Sequence, residues 1–214
     1  MGISALRLLE FIERVTRKIA PGPAPSFNEA HVVKALEIIG KSGTVGRIRL
    51  SKELRLGEGT TRTLLKHLKN EGVTQSSRSG ISFSEEGKKL FSDLRSKLSE
   101  GVEVPSSPLT VGPFNIAILV RDSAQAVGSG MEQRDIAIKS GASGATTLVF
   151  SGNKLSMPTY EQNVSESMPM LHAELVTKLN PNQDDVIIVG SGETRDLAET
   201  GAKMAAIKLL KNNN

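Results

Sequence analysis

The sequence predicts a mainly α-helical N-terminal domain joined to a small C-terminal α/β domain. Apolar residues recur at helical spacing in the first half, whereas the second half contains short apolar runs rich in β-branched residues. Between them, the stretch LSEGVEVPSSPLTVGPF over 98–114 is rich in proline, glycine and serine and predicts a linker. We therefore expect an N-terminal helix and linker over 1–25, a first domain over 26–104 and a second over 105–214.

The composition excludes several classes of protein. The chain of 214 residues contains no cysteine, so it has neither disulfides nor a thiolate metal site. Its three histidines, His31, His67 and His172, lack the spacing of metal ligands, and we expect no metal and no cofactor. The sequence shows no signal-peptide pattern and no run of about 20 apolar residues. We expect a cytoplasmic protein that does not cross a membrane.

Charge is divided unevenly along the chain. Residues 1–104 contain 18 Lys and Arg against 12 Asp and Glu, whereas residues 105–214 contain 9 against 11. Within residues 41–70, eight basic residues are accompanied by only two acidic ones, Glu53 and Glu58. A local positive field of this kind attracts a polyanion, and a solvated helix surface is the alternative at this stage.

An amphipathic helix precedes the first domain. Residues 3–19 place apolar side chains on one side at helical spacing, and the opposite side carries charges of both signs. Core packing or dimerisation suits this helix better than membrane binding. The segment APGPAPS over 20–26 ends it, and a second helix over 27–39 follows, entered through Ser26 or Asn28.

The central part of the first domain predicts two helices joined by a turn. A strand-like segment over 47–50 leads into a short helix over 51–55 that Ser51 caps. A turn containing Gly57 separates this short helix from a longer one over 58–70.

A hairpin and a last helix complete this domain. Residues 73–76 and 81–83 flank the turn SRSG, and Ser84 caps a helix over 84–99. Helix, short helix, turn, helix and two-stranded wing is the order of a winged helix-turn-helix. The segments RLSKELRLGEGTTRTLLKHLKNEGV and GISFSEEGKKL resemble the winged-helix domains of prokaryotic transcription regulators over residues 28–98. The resemblance implies DNA binding.

The helix over 58–70 carries the predicted DNA-reading surface. Its apolar side must face the core, and this side includes Thr61, where the related domains often have an aliphatic residue. The opposite side suits a major groove, because such helices enter it with their N-terminal residues toward the bases. Arg62 is placed to reach a guanine edge, and the other basic residues suit phosphates. The predicted DNA contacts are Arg47, Arg49, Lys52, Thr60, Arg62, Thr63, Lys66, Lys69 and Arg78.

Double-stranded DNA is the expected partner. Aromatic residues make up 3% of the chain, so it lacks the stacking platform that single-stranded RNA recognition uses. A winged helix used only for protein contacts is the alternative. Because regulators of this kind pair to read two half-sites, we expect a homodimer.

The second domain alternates strands and helices. Apolar runs over 114–120, 145–150 and 185–190 predict strands, and SGN over 151–153 predicts a hairpin turn. Helices are expected at about 132–140, 165–179 and 193–210. This order predicts a small α/β domain.

Two related motifs occur in this domain. GSGMEQRD begins at residue 128 and GSGETRD at residue 190, and each is expected to follow a strand and open a helix. Glycine permits positive φ, and the free N–H groups at a helix start favour an anion. If both turns lie at one end of the sheet, Arg134 and Arg195 converge on one phosphate or carboxylate; two ordinary glycine turns are the alternative. The predicted ligand contacts are Gly128, Ser129, Gly130, Glu132, Gln133, Arg134, Asp135, Gly190, Ser191, Gly192 and Arg195.

A second resemblance covers the C-terminal half. GSGMEQRDIAIKSGASGATTLVF and the later VGSGET and GAKMAA resemble a group of archaeal two-domain proteins, in which a winged helix precedes a domain of unknown function. The resemblance implies a regulator-like architecture and brings neither a ligand nor catalytic residues.

Two functions from different classes are consistent with these patterns. The first is a transcription regulator whose α/β domain senses a small anionic metabolite. The second is a small enzyme or ligand-binding α/β domain that carries an accessory winged helix. No Ser-His-Asp, GxSxG, P-loop or metal-ligand spacing is present, and a Glu132 and Asp135 acid–base pair lacks a nucleophile. We therefore favour the regulator and predict no catalytic residue.

Overall fold

A computed structural model describes residues 3–17, 25–158 and 163–213. The chain divides into two compact units with the boundary between Leu94 and Arg95. This boundary lies about ten residues before the predicted junction at 104/105 and falls within a helix. Among the described residues, no helix is long and apolar enough to cross a membrane.

The first unit combines five helices with a small antiparallel sheet in its described part. The elements are α1 (Ile3–Thr16), α2 (Glu29–Ser42), β1 (Thr44–Val45), α3 (Arg47–Leu54), α4 (Glu58–Asn70), β2 (Thr74–Ser77), β3 (Gly80–Phe83) and α5 (Glu85–Lys97). The strand order is β1-β3-β2, and Ser77 pairs with Gly80 at the hairpin turn. Asn28 caps α2 by accepting from the His31 amide, and Ser84 caps α5 by accepting from the Gly87 amide.

Helix α1 belongs to the core of the first unit. Leu8, Ile12 and Val15 are fully buried, and α1 packs against α2 and α4. The apolar stripe that suited either core packing or dimerisation is therefore used within the chain. The end of the predicted helix at Lys18 and Ile19, and the Pro-rich break as far as residue 24, lie outside the described residues.

The predicted strand over 47–50 is wrong, because these residues form the first turn of α3. Leu50 and Leu54 are spaced four apart and fully buried, so the helical period places both in the core. Ser51 therefore lies inside the helix instead of capping it, and its hydroxyl donates to the Leu56 carbonyl at 2.6 Å. The strand precedes this segment, where Thr44 and Val45 pair with β3.

The second unit consists of a five-stranded sheet with helices packed on it. Its elements are β4 (Val102–Glu103), β5 (Phe114–Val120), α6 (Met131–Lys139), β6 (Gly144–Ser151), β7 (Lys154–Ser156), α7 (Val164–Ser167), α8 (Pro169–Leu179), β8 (Val186–Gly192) and α9 (Arg195–Asn212). The strand order is β4-β5-β8-β6-β7, with every neighbouring pair antiparallel. One side of the sheet buries Leu119, Leu148 and Ile187 with Leu175 of α8. Helices α6 and α9 pack on the sheet and against each other.

The segment predicted as a linker is part of the second unit. Val102 and Glu103 pair with β5, and Val104 and Leu109 are buried in the same core cluster as the central strands. Prolines and serines permit this irregular path, but two apolar side chains anchor it, so the linker interpretation of 98–114 is wrong.

Candidate nucleic-acid interface and ligand cavity

A basic cleft lies between α4 and the β2–β3 hairpin in the first unit. Its volume is about 510 Å³, and no acidic residue is among the described residues that line it. None of its basic side chains forms an ion pair within the described ranges. The lining basic residues are Arg47, Arg62, Lys66, Lys69 and Arg78.

The helical period of α4 produces this cleft. Thr61, Leu64 and Leu68 are fully buried on one side. Arg62, Lys66 and Lys69 recur at positions i, i+4 and i+7 and are exposed on the other, toward the hairpin. The hairpin closes the opposite wall with Arg78 at its turn. Positive charge is thus concentrated in a cleft, where the fields of several cations add together.

Two helix starts add to this positive field. Helices α3 and α4 begin after Gly46 and Gly57, and neither start is capped by a side-chain hydrogen bond. The first amide groups of each helix therefore remain available to an acceptor. Gly46 itself lines the cleft.

Four of the predicted DNA contacts do not line the cleft. Arg49 pairs with Glu53, with 2.6 Å between Nε and Oε1. Lys52 is exposed on α3, and Thr60 is half-buried. The Thr63 hydroxyl donates to the Gly59 carbonyl at 3.1 Å. These side chains lie outside the cleft, and Arg49 is already paired. We therefore expect them to contribute less to DNA binding than the five residues that line the cleft.

His67 has a structural role. Its ring is buried, Nδ1 lies 2.7 Å from the Val15 carbonyl oxygen, and Phe27 contacts its edge. These contacts tie α4 to α1 and to the segment that precedes α2.

In the second unit, the first Gly-Ser-Gly starts α6 beside a cavity. Gly130 adopts φ 80° immediately before the helix, a left-handed conformation that favours glycine. The cavity has a volume of about 290 Å³, and Arg134 is its only charged lining residue among those described. The lining residues are Val111, Ser129, Gly130, Met131, Arg134, Ser143, Gly144, Ala145, Thr146, Thr147, Met157 and Pro158.

The second Gly-Ser-Gly lies within a strand, so the prediction that it forms a turn opening a helix is wrong. Gly190, Ser191 and Gly192 are the buried last residues of β8. A Cβ on Gly190 would collide with the Ala198 carbonyl, and a Cβ on Gly192 would stand 2.7 Å from the Ala198 nitrogen. These glycines allow α9 to lie directly on β8. The Ser191 hydroxyl donates to Asn115 at 2.7 Å and accepts from the Val111 amide.

The two motifs do not form one site. Glu132, in the first turn of α6, contacts Lys208 and Asn212 near the end of α9. Arg195 begins α9 and lies about 20 Å from Lys208 along the helix axis. Its Nε lies 3.7 Å from Oε2 of Glu103. Helices α6 and α9 run antiparallel, so the two helix starts point away from each other and the predicted convergence of Arg134 and Arg195 is wrong.

The remaining residues of the first motif divide between packing and the surface. Hydrogen bonds from Lys208 and Asn212 lower the pKa of Glu132 below its ordinary value, so this carboxylate ties α6 to α9. Gln133, in the first turn of α6, has a buried side chain, whereas Gly128 and Asp135 are exposed. Of the predicted ligand residues, Ser129, Gly130 and Arg134 line the cavity.

Several cavity residues were missed by the sequence analysis, above all Thr147. Thr146 and Thr147 are adjacent in β6, and strand alternation turns them to opposite sides of the sheet. Thr146 donates to the Leu109 carbonyl at 2.6 Å, whereas Thr147 contacts the start of α6. Two adjacent threonines within an apolar run were the available sign of polar contacts on β6. The sequence does not reveal that α6 covers this strand.

Comparisons with known proteins match the two parts of the chain to different families. Residues 32–98 match a family described as the CggR N-terminal DNA binding domain. Residues 111–209 match a domain of unknown function, DUF4443. These matches support a two-domain, regulator-like protein with a DNA-binding domain at its N-terminus.

A solved structure is similar over most of the chain. It is a hypothetical protein from Pyrococcus horikoshii OT3, 28% identical, with a TM-score of 0.68. The similarity covers 84% of this chain and 92% of that one. No curated protein matches.

Proposed function

We propose that this protein is a transcription regulator that binds duplex DNA in the cytoplasm through a winged helix-turn-helix and binds a small anion in its second unit. The observation that carries the DNA-binding part is the basic cleft between α4 and the hairpin. Among the described residues, its five cations form no ion pair and no acidic residue lines it, which suits the phosphate backbone of DNA.

In this proposal α4 enters the major groove and the hairpin acts as the wing. Arg62 lies in the first turns of α4, from which a guanidinium reaches the O6 and N7 of a guanine. Lys66, Lys69 and Arg78 contact phosphates and fix the position of the protein without reading sequence. The uncapped amide groups at the start of α3 supply a further phosphate contact beside Arg47.

We propose a homodimer as the DNA-bound form. One recognition helix reads only a few base pairs, and two copies that read half-sites about one DNA turn apart achieve the specificity of a regulator. Because the apolar side of α1 is buried in the core, we place the dimer contact elsewhere on the chain.

The second unit is proposed to bind its ligand without transforming it. The supporting feature is the cavity at α6, where Arg134 and a helix start face a space whose described lining residues include no carboxylate. Glu132 was a candidate for acid–base chemistry on sequence grounds. Its carboxylate instead contacts Lys208 and Asn212 of α9.

Lys66→Ala and Arg78→Ala test the phosphate contacts. Each variant is expected to weaken binding to specific and random duplexes by the same factor, because a phosphate contact carries no sequence information. Each is also expected to reduce the slope of log affinity against log salt by about one. Fluorescence anisotropy with labelled duplexes at several salt concentrations measures both quantities.

Arg49→Ala is the matched control for these variants. Arg49 is equally basic but is paired with Glu53 outside the cleft, so we expect a smaller change in the salt slope. Equal slopes for Lys66→Ala, Arg78→Ala and the unaltered protein would contradict the proposed interface and favour a winged helix used for protein contacts.

A further inference from the structure

The start of α6 lies over a buried threonine that has no hydrogen-bond partner. Thr147 is 3% exposed, and within the described part of the chain its hydroxyl neither donates nor accepts. An unsatisfied buried hydroxyl costs stability, so its presence calls for an explanation. Thr147 lines the α6 cavity, and its Oγ1 lies 3.5 Å from the position that a Cβ on Gly130 would occupy. A side chain at position 130 would therefore pack against Thr147, and glycine avoids that contact.

The same cavity is bordered by groups that attract an anion. Helix α6 has nine residues, and its N-cap residue Gly130 makes no side-chain hydrogen bond. The Met131 amide donates to the Ser129 hydroxyl at 3.4 Å, whereas the next amide groups of the first turn lie at the positive end of the helix dipole without a capping side chain. The Arg134 side chain folds back toward this helix start, where its Nη1 lies 3.9 Å from the Met131 sulfur. Arg134 has no carboxylate partner among the described residues.

The cavity also has a free strand edge and an apolar wall. Strand β7 pairs only with Val149–Ser151, so β6 has no neighbouring strand on that side from Gly144 to Leu148 in the described chain. Val111, Met131, Met157 and Pro158 provide apolar surface around it.

From these features we infer that the α6 cavity binds a small 2-hydroxycarboxylate with a short aliphatic chain. The carboxylate accepts from the first-turn amide groups of α6 that follow Met131 and from Arg134. The hydroxyl exchanges a hydrogen bond with Thr147, and the aliphatic chain lies on the apolar wall. This inference rests on the proposed function, because it names the ligand class of the proposed anion site. It assigns the polar contacts of that site to α6 and β6, without the second Gly-Ser-Gly.

The charge and size of the cavity select this class over related anions. A single cation balances a carboxylate, whereas a phosphate carries a charge of about −1.5 to −2 at neutral pH. A ligand ammonium would find no counter-charge, since no carboxylate lines the described cavity. A ligand hydroxyl suits Thr147, because a threonine hydroxyl can both donate and accept a hydrogen bond. The volume of about 290 Å³ suits a ligand smaller than a typical drug.

Calorimetric titration of the intact protein with matched compounds tests the inference. The probes are 2-hydroxyisocaproate, isocaproate and leucine, which share one carbon skeleton, and inorganic phosphate. We expect 2-hydroxyisocaproate to bind about tenfold or more tightly than the other three, because a site that hydrogen-bonds a hydroxyl rejects analogues without it. Isocaproate binding as tightly as 2-hydroxyisocaproate would overturn the inference.

Variants separate ligand contacts from structural roles. Arg134→Gln is expected to weaken 2-hydroxyisocaproate binding about tenfold or more through loss of a charge-assisted hydrogen bond, whereas Arg195→Gln, at the far end of α9, leaves it unchanged. Thr147→Val is expected to reduce the affinity for 2-hydroxyisocaproate to that for isocaproate, without changing isocaproate binding. It should not lower the melting temperature of the free protein, since the lost hydroxyl had no partner. Thr147→Ser retains the hydroxyl and is expected to retain the preference.

The outcomes distinguish this inference from the proposed function. Binding of phosphate in preference to every carboxylate overturns the ligand class and leaves the anion site standing. No binding of any probe at about 10 mM overturns both the ligand class and the anion site. Neither result bears on DNA binding, which the anisotropy measurement tests separately.

Discussion

Replacing Gly190 by alanine is expected to lower the free energy of unfolding of the protein by about 3 kcal/mol, at the upper end of the range for overpacked cores. The added Cβ would collide with the Ala198 carbonyl and would stand 2.8 Å from the Ala202 nitrogen. Both are backbone atoms of α9, which cannot move aside as a flexible side chain does. Urea denaturation followed by circular dichroism measures the change.

Gly128→Ala is the matched control, taken from the other Gly-Ser-Gly. No atom lies within 4 Å of the Cβ it would introduce, and Gly128 is exposed with no positive φ. We expect a change within about 0.5 kcal/mol. If the two variants were equally stable, the direct packing of α9 on β8 would be wrong, and a ligand-binding turn at residues 190–192 would have to be reconsidered.

Arg62→Ala is expected to cost about 1–3 kcal/mol of discrimination between a preferred DNA site and the same site with one guanine replaced. The reason is that Arg62 is the basic residue nearest the start of α4, the end that such helices direct toward base edges. Anisotropy titrations with the two duplexes at one salt concentration measure the ratio of affinities.

Lys69→Ala provides the comparison on the same helix face. Lys69 lies near the C-terminal end of α4, so its removal is expected to weaken both duplexes equally. If Arg62→Ala also weakened the two duplexes by one factor, the assignment of base reading to Arg62 would be wrong.

Strongly periodic segments were predicted well from the sequence. The helix over 58–70 has the bounds of α4, and the strand over 114–120 has those of β5, because each has a clear apolar pattern and clear ends. Short segments were predicted less well. RIRL alternates like a strand, but burial of Leu50 and Leu54 together requires a helix, and that requirement arises from tertiary packing.

The repeated motif shows where local sequence loses its predictive value. Gly-Ser-Gly at 128–130 is a turn before a helix, as predicted, whereas the same letters at 190–192 continue a strand. Glycine is compatible with both structures, and the choice depends on whether a helix packs against the glycine. The linker prediction failed for a related reason, since Val104 and Leu109 are buried despite the prolines around them.

The candidate site was predictable in kind more than in detail. The basic character of α4 follows from its sequence. The cleft, however, also requires the β2–β3 hairpin with Arg78 to lie opposite α4, and the sequence does not show that arrangement. Similarly, the sequence indicated an anion near Arg134, but the proximity of Thr147 depends on α6 crossing β6.

Selection of duplexes from a random-sequence library by the intact protein tests the proposal of a DNA-binding regulator most directly. We expect enrichment of an inverted repeat whose half-sites are about one helical turn apart, with Arg62→Ala losing the enrichment of one base pair in each half-site. Failure to retain any duplex above background at low salt, where phosphate contacts are strongest, would contradict the proposal.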